Sequence, residues 1–175
     1  MKNTGVIRRI DDLGRIVIPK EIRKSLRIKD GDSLEVFVNN DSIVLKKFSL
    51  MKDFSSLFKD YIASLYFELG CNIMITDREK VISFIGDLRA NYDNKFISSM
   101  VDGVISDRIV SFSNAMKKVS LVKDSFIDAS YVIAPIIGSS DVFGSIIIFS
   151  TKKGIEDLYI KSAVIASNFL AKYIE

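Results

Sequence analysis

Histidine and tryptophan are absent from the 175-residue sequence, and cysteine occurs once, as Cys71. Without histidine, catalysis by Ser-His-Asp or Cys-His groups is excluded, and so is any metal or haem site with a histidine ligand. A single cysteine forms no intrachain disulfide, no CxxC redox pair and no thiolate zinc site. A lone thiol is typical of a reducing compartment, so the composition predicts a cytoplasmic protein.

Long apolar runs are also missing. No apolar segment follows the basic start of the chain, which predicts that there is no secretory signal. The nearest candidate for a membrane span, residues 155–174, includes Glu156, Asp157 and Lys161, which a span does not tolerate. The composition therefore predicts a soluble protein of one or two domains with no membrane partner.

The net charge of +3 conceals an uneven distribution. Residues 1–47 hold 11 Lys/Arg and 7 Asp/Glu, whereas residues 48–175 hold 14 and 15, so the two parts carry +4 and −1. Within residues 1–29 the count is 9 basic against 3 acidic, which is a net charge of +6. A basic head on a nearly neutral body favours a nucleic acid or an acidic surface as partner, although a solvated surface explains a short basic stretch equally well.

Short elements follow one another in residues 1–47. The pattern predicts strands at 6–10 and 15–18 around a turn at 11–14, a helix at 19–27, a turn at 30–32, and strands at 34–38 and 43–45 around a hairpin turn at 39–42. Four short strands and one small helix bury too little apolar surface to be stable alone, and metals and disulfides are excluded. We therefore expect this segment to be an obligate dimer with strands shared between chains.

The run from Met1 to Leu26, with its core D-x-L-G-R-[IV]-V-I-P at residues 11–19, resembles the AbrB-type DNA-binding domain. The resemblance covers residues 1–47 and implies a swapped-hairpin dimer that binds double-stranded DNA. It implies four basic DNA contacts, with four more as weaker or peripheral contacts: Arg8, Arg15, Arg23 and Lys24, then Arg9, Lys2, Lys20 and Arg27.

Two points qualify these residues. Lys24 stands where the family often has arginine, and a lysine favours phosphate contact over base reading. The alternative for Arg8 and Arg15 is that they only form ion pairs with nearby acidic residues, which are Asp11, Asp12 and Glu21.

Residues 48–175 combine amphipathic helices with strands. The pattern predicts a helix at 54–69 that ends at Gly70, strands at 71–76 and 81–85, a helix at 96–107, strands at 118–122, 131–137 and 144–150, the last two joined by a hairpin at 138–141, and a helix at 154–175. This order, with a largely antiparallel sheet, is typical of an α+β sensor domain.

Residues 52–175 resemble a GAF domain, on this element order and on the apolar runs at 131–136 and 143–149. The whole chain is thus similar to AbrB-family transition-state regulators with a C-terminal GAF domain. The implied fold is a β-rich swapped-hairpin barrel of the AbrB type over residues 1–50, dimeric, followed by an α+β GAF domain over residues 51–175. The implied function is sequence-specific regulation of sporulation genes, in the nucleoid of the forespore.

A GAF domain implies a site for a small molecule between the sheet and its covering loops. We expect no cofactor other than such an unidentified effector. No spacing selects the residues that line the site, and a surface role explains each of the polar candidates, which are Ser83, Arg89, Asn91, Asp107, Arg108 and Tyr131. The two terminal helices have apolar faces broad enough for a bundle between subunits, which predicts a tetramer, although packing on their own sheet explains either helix alone.

Two other functions fit parts of the pattern. AbrB-like folds also serve as antitoxins, but antitoxin tails are short and disordered, whereas residues 48–175 are rich in aromatic and β-branched residues. Some GAF-like domains perform cysteine redox chemistry, which needs a resolving cysteine that this chain lacks. Cys71, at the start of a predicted strand, is better explained as a buried structural thiol. The sequence therefore predicts a regulator and not an enzyme.

Overall fold

The computed structural model describes residues 5–28, 30–88, 92–139 and 141–175. The chain divides into two compact units, Met1–Phe48 and Ser49–Glu175. Within the described ranges, no helix is long and apolar enough to cross a bilayer.

The first unit contains one short helix and one β-hairpin, which are α1 (Lys20–Ser25), β1 (Leu34–Asn39) and β2 (Ser42–Lys47). The two strands are antiparallel, with Asn39 opposite Ser42, so the chain turns through two residues. The first of these, Asn40, has φ 50°, in the left-handed region that asparagine tolerates. The hairpin turn predicted at 39–42 is confirmed.

Helix α1 is shorter at both ends than the predicted 19–27. Pro19 precedes the first turn with an extended ψ of 145°, so it lies at the boundary and not inside the helix. Arg27, at φ 54°, has left the helical region.

Residues 5–19 form no strand, so the strands predicted at 6–10 and 15–18 are wrong for the single chain. The turn between them is present, because Gly14 N–H donates to Asp11 O at 2.9 Å and Asp11 N–H donates to Arg15 O at 3.1 Å. In the described part of this unit the only two strands, β1 and β2, pair with each other. In the single chain, the β-prone residues before α1 therefore have no strand with which to pair. β-propensity without a pairing partner does not form a strand.

None of the described residues between 5 and 48 is buried. Large apolar side chains are left in solvent, including Ile7, Val38 and Leu13, which are 90%, 80% and 75% exposed. Apolar burial is the main term that stabilises a folded domain. A single copy of the first unit therefore lacks the core that its stability requires.

The second unit is a five-stranded sheet covered by helices. Its elements are α2 (Leu50–Asp53), α3 (Ser55–Leu69), β3 (Asn72–Asp77), β4 (Val81–Ile85), α4 (Ser99–Asp107), β5 (Ser111–Val119), β6 (Ile127–Ile137), β7 (Val142–Ser150) and α5 (Asp157–Ile174). The strand order is β4-β3-β7-β6-β5, and every neighbouring pair is antiparallel. The predicted α+β class with an antiparallel sheet is confirmed.

Helices cover both faces of this sheet. On one face, side chains such as Val132 pack with α3 and α5, for example with Leu170. On the other face, side chains such as Ile133 pack with α4, for example with Val101. Because successive strand residues point to opposite faces, burial on both sides explains the unbroken apolar run at 131–136.

The ends of the helices follow local chemistry. Helix α3 ends as predicted at Gly70, which has φ 61° and donates its N–H to Tyr66 O at 2.9 Å. Helix α4 starts at Ser99, later than the predicted residue 96, because Ser98 caps it: the Ser98 Oγ accepts the Val101 N–H at 3.3 Å.

Strand β5 was not located correctly by the pattern, since the prediction at 118–122 overlaps only its last two residues. Val122 instead forms an isolated bridge with Ile97. Strand β5 lies at the end of the sheet and is exposed over most of its length, with Val119 as its one buried residue. Its sequence therefore lacks the apolar alternation that marks a half-buried strand.

Candidate nucleic-acid interface

Arg15 lies on a short loop that one carboxylate holds closed. The Asp11 Oδ1 accepts the backbone N–H groups of Arg15, at 2.8 Å, and of Leu13, at 3.1 Å. The Asp11 Oδ2 accepts the Arg15 Nε–H at 2.7 Å. The backbone N–H of Arg15, and then its guanidinium, hold the pKa of the Asp11 carboxyl below its ordinary value. The ion pair proposed as an alternative for Arg15 thus exists, yet it engages Nε and leaves the side chain 72% exposed.

Helix α1 presents Lys20 and Lys24 to solvent, and its Arg23 is half-buried. The Arg23 Nη1 lies 3.3 Å from Asp30 Oδ1, a long contact to a fully solvated carboxylate. Among the described buried side-chain atoms, the Arg23 Nε is the one without a hydrogen-bond partner. The Arg23 side chain is therefore held weakly at Nη1, and its Nε is buried without an acceptor.

The remaining candidates differ in how they are held. Arg8 and Arg9 are exposed, and the Arg8 Nη1 makes one long bond, of 3.4 Å, to Ile7 O. Arg27 is exposed, and its carbonyl accepts from Lys47 Nζ at 2.9 Å. Lys2 lies outside the described residues.

Two structural residues of this unit were missed by the sequence analysis. One is Asp11 as the organiser of the Arg15 loop, which its spacing before Leu13 and Gly14 could have indicated as an Asx turn. The other is Lys47, whose Nζ lies 2.8 Å from Asp32 Oδ2 in addition to its bond to Arg27. Lys47 thereby ties strand β2 to the loops around it and is not a free cation.

The predicted effector-binding residues that the structure describes come from separate elements and form no single group. Ser83 is on β4 and Tyr131 on β6, and the strands β3 and β7 lie between them. Asp107 and Arg108 are exposed at the end of α4. Arg89 and Asn91 lie outside the described residues.

The surroundings of Tyr131 are mostly apolar. Its ring is 3% exposed in the cluster beneath α4, which also contains Phe149. Phe84 stacks on Phe149 with ring centroids 6.4 Å apart and meets Tyr92 edge-on at 4.9 Å. Of the described polar candidates, Tyr131 therefore contributes a buried, hydroxyl-bearing ring to the face of the sheet beneath α4.

Cys71 and the acidic residues form no reactive or metal-binding group in the part of the chain that the structure describes. Cys71 is 2% exposed, and burial raises the pKa of its thiol. No three of the described Cys, Asp or Glu residues are grouped to hold a metal ion. The buried structural thiol expected for Cys71 agrees with this position.

Comparison with known proteins identifies the family. Residues 53–175 match the family model described as stage V sporulation protein T C-terminal, transcription factor. Along its whole length the chain is 40% identical, over 177 aligned residues, to stage V sporulation protein T of Bacillus subtilis (strain 168), which covers 100% of this chain and 99% of that protein. The chain belongs to the stage V sporulation protein T family.

Three further similarities concern the family and the fold. Residues 7–49 match the family model for the MazE antitoxin, described as antidote-toxin recognition. Over 48 residues the chain is 50% identical to the transition state regulatory protein AbrB of Bacillus subtilis (strain 168), covering 27% of this chain and 50% of that protein. A solved structure, the cofactor-binding GAF domain of the nutrient sensor CodY from Clostridium difficile, shares the fold with TM-score 0.50 and 14% identity, covering 89% of this chain and 94% of that one.

Membership of the stage V sporulation protein T family confirms the predicted class. The chain has an AbrB-type N-terminal domain and a C-terminal GAF-like α+β domain, and it is a transcription factor of sporulation and not an enzyme.

Proposed function

We propose that this protein regulates sporulation genes by binding specific sequences of double-stranded DNA with its first unit. The observation that carries the proposal is Arg15, fixed at its backbone by Asp11 while its side chain stays largely exposed. Around it, residues 1–29 carry a net charge of +6. Cations placed on a fixed backbone neutralise phosphates and release counterions, which gives affinity that depends steeply on salt.

The DNA contacts we propose follow from how each side chain is held. Arg15, Arg8, Arg23 and Lys24 form the main set, because Arg8 and Lys24 are exposed and the contact of the half-exposed Arg23 with Asp30 is long, at 3.3 Å. Arg9, Lys20, Arg27 and Lys2 are peripheral contacts. Since α1 has only six residues, it offers little as a recognition helix, and we expect sequence preference to come in large part from DNA shape and deformability.

The first unit acts as a dimer in this proposal. None of its described residues between 5 and 48 is buried, and its β-prone arm at residues 5–19 has no strand partner in the single chain. A second copy supplies both the missing strands and the apolar cover. Two-fold symmetry then places two copies of each arginine on the DNA, which matches the symmetry of a palindromic operator.

The second unit joins two such dimers. The outer sides of α3 and α5 leave large apolar side chains exposed: Phe67, Ile165, Leu158, Tyr173 and Phe169, from 86% down to 46%. Tyr61 on α3 stacks on Phe169 of α5 with ring centroids 5.2 Å apart, so aromatic rings join the two helices, and we call this exposed side the aromatic surface. Pairing of these surfaces between subunits, as in a helix bundle, gives a tetramer.

A second candidate role for this unit is the sensing of a small molecule. The observation that favours it is the fold shared with the cofactor-binding GAF domain of CodY. The sequence suggested Ser83, Arg89, Asn91, Asp107, Arg108 and Tyr131 for such a site, but the described ones lie on separate elements, so the proposal concerns the domain and not this set of residues. A panel of metabolites in a thermal-shift assay separates the roles: a compound that raises the Tm of the full chain supports sensing, and none doing so supports a purely structural role.

The cellular setting follows from the same family. We propose that the protein works in the cytoplasm of the forespore, bound to the nucleoid. The MazE match of residues 7–49 leaves an antitoxin role as the competing hypothesis, and stable co-purification of a toxin partner would favour it.

The test of DNA binding is selection from a random duplex library, followed by gel-shift titration of the enriched sequence. Arg15→Ala should weaken binding by a factor of one hundred or more while the oligomer persists in gel filtration. The matched control is Arg78→Ala, which removes an arginine of the second unit that is likewise paired with an aspartate, at 3.7 Å from Asp141. Equal affinity of the two variants would overturn the assignment.

A further inference from the structure

Strand β5 is an open edge of the sheet in the second unit. It lies at one end of the strand order and, among the described strands, pairs with β6 alone. The helices pack on other strands, α3 on β3 and β4, and α4 and α5 on β6 and β7. Residues 114–118 of β5 are exposed without interruption. Ala115 O accepts the Ser113 Oγ–H and Asn114 O lies close to Gly154. Away from these residues, the outer backbone N–H and C=O groups of the strand are the usual template for adding a further strand.

Large apolar side chains accompany this edge. Phe112 and Met116 on β5 are 53% and 40% exposed, and the neighbouring Ile109 and Phe126 are 69% and 68% exposed. Edge strands that avoid association with other chains usually carry charges and few large apolar residues. Four exposed apolar side chains beside one strand are instead typical of an interaction surface.

Strand β5 itself carries charge of one sign, because Lys117 and Lys118 are its only charged residues. The nearest acidic residues lie outside the strand, at Asp107, Asp124 and Asp128, so the excess of basic charge is confined to the strand. Lys117 Nζ lies 5.1 Å from the Tyr131 ring centroid and Lys118 Nζ lies 5.6 Å from that of Phe126. Asp128 is the register partner of Lys118. The two lysines thus lie over the ring of Tyr131 on β6 and over that of Phe126, which directly precedes β6.

We propose that β5 binds an extended acidic peptide segment of a partner protein, which adds to the sheet as a sixth strand. The backbone edge supplies main-chain hydrogen bonds, the exposed apolar residues accept alternate side chains, and the lysines pair with its carboxylates. A second copy paired antiparallel about the two lysines would place like charges opposite each other, which is unfavourable. A nucleic acid cannot continue the backbone ladder of the sheet, which distinguishes it from a peptide at this edge.

The bulge in β5 limits where the peptide pairs. The register with β6 shifts between Ser113 and Lys117, which divides the ladder into two short segments. We place the added strand along residues 117–119, since both lysines lie there, with the apolar contacts of Met116 and Phe126 beside it.

The experiment pans a phage-displayed library of random peptides against the immobilised full-length protein and measures the consensus peptide by fluorescence anisotropy. The enriched peptides should be net negative, with apolar residues at alternate positions. The double variant Lys117→Glu/Lys118→Glu should bind the consensus peptide at least about tenfold more weakly. Methylation of alternate backbone amides of the peptide should abolish binding if the peptide adds as a strand.

The matched control is Lys95→Glu, which reverses another exposed lysine that lies over a ring, 5.4 Å from the Tyr92 centroid. It should bind like the unmodified protein, and circular dichroism confirms that both variants are folded. No enrichment, enrichment without acidic bias, or equal loss in both variants overturns the proposal. Competition by a basic peptide or by duplex DNA of random sequence also overturns it. A change of oligomeric state in Phe112→Ala would overturn it as well, because it would assign this edge to a contact between copies of the chain.

Discussion

The carboxylate of Asp11 holds both the backbone and the side chain of Arg15. Its Oδ1 accepts the Arg15 N–H at 2.8 Å, and its Oδ2 accepts the Arg15 Nε–H at 2.7 Å. An acidic residue thus lies beside the cation that we assign to DNA binding, although its negative charge repels the phosphates. Its benefit is geometric, because it fixes a loop whose Gly14 already adopts φ 75°.

Replacing Asp11 distinguishes geometry from charge. Asp11→Ala removes three hydrogen bonds that close the loop, and we expect DNA affinity to fall about five- to tenfold, equivalent to about 1 kcal/mol. The control is Asp12→Ala, which removes the same charge from the neighbouring exposed residue, and it should bind DNA as tightly as the unmodified protein or more tightly. If both variants gain affinity equally in a gel-shift titration, the proposed role of the Asp11 carboxylate is wrong.

The aromatic surface of α3 and α5 is tested by a charge placed within it. Ile165 is 67% exposed on α5, so Ile165→Lys adds a charge there without opening the core. We expect analytical ultracentrifugation to show dimers in place of tetramers, because a buried ammonium in a subunit interface is strongly unfavourable. The control Lys161→Ala, on the same helix, should stay tetrameric. Tetramers that persist in Ile165→Lys would contradict the assignment of this face.

Two glycines of the second unit should respond oppositely to alanine. Gly144 lies on β7 opposite Asp77, and a Cβ there would collide with the backbone carbonyl of Thr76. Gly144→Ala should therefore lower the free energy of unfolding by about 2–4 kcal/mol. Gly103 lies in α4 with open space around its Cα, so Gly103→Ala should raise it by about 0.5–1 kcal/mol. Urea denaturation measures both, and destabilisation by Gly103→Ala would show that the helix is packed differently.

Cys71 should be slow to react with thiol reagents in the native protein. Its side chain is 2% exposed, and burial raises the pKa of the thiol, so the reactive thiolate is scarcer than in a free cysteine at the same pH. We expect labelling at pH 8 to be slow until denaturant is added, and to accelerate as pH rises further. Complete labelling of the folded protein within minutes would indicate an accessible thiol and would reopen redox chemistry.

Some turns and helix ends, which depend on local sequence, were predicted correctly, whereas the pairing of several strands was not. The hairpin turn at Asn40 and the helix end at Gly70 each depend on one residue with a positive φ, and both were predicted. The strands at 6–10 and 15–18 are absent from the single chain because a strand needs a partner, and their exchange between two chains stays a prediction. Strand β5 was misplaced because an exposed edge carries little apolar periodicity.

The same difference between local and long-range structure applies to the candidate sites. The basic residues of the first unit lie within a continuous segment, so charge and the motif at residues 11–19 were enough to propose them together as DNA contacts. The effector residues come from separate elements, and the sheet order places β3 and β7 between Ser83 and Tyr131, which no sequence spacing reveals. Which polar residues converge in a domain depends on strand order, and strand order is a long-range property.

The salt dependence of DNA affinity tests the central claim most directly. If two copies of Arg15 contact phosphates in each bound dimer, Arg15→Ala should make the slope of log K against log [KCl] less steep by about 1.8, since each neutralised phosphate contributes about 0.9. Arg78→Ala should leave the slope unchanged. A slope for Arg15→Ala equal to that of the unmodified protein, across a range in which both bind measurably, would contradict the account that a symmetric pair of Arg15 side chains contacts the DNA backbone.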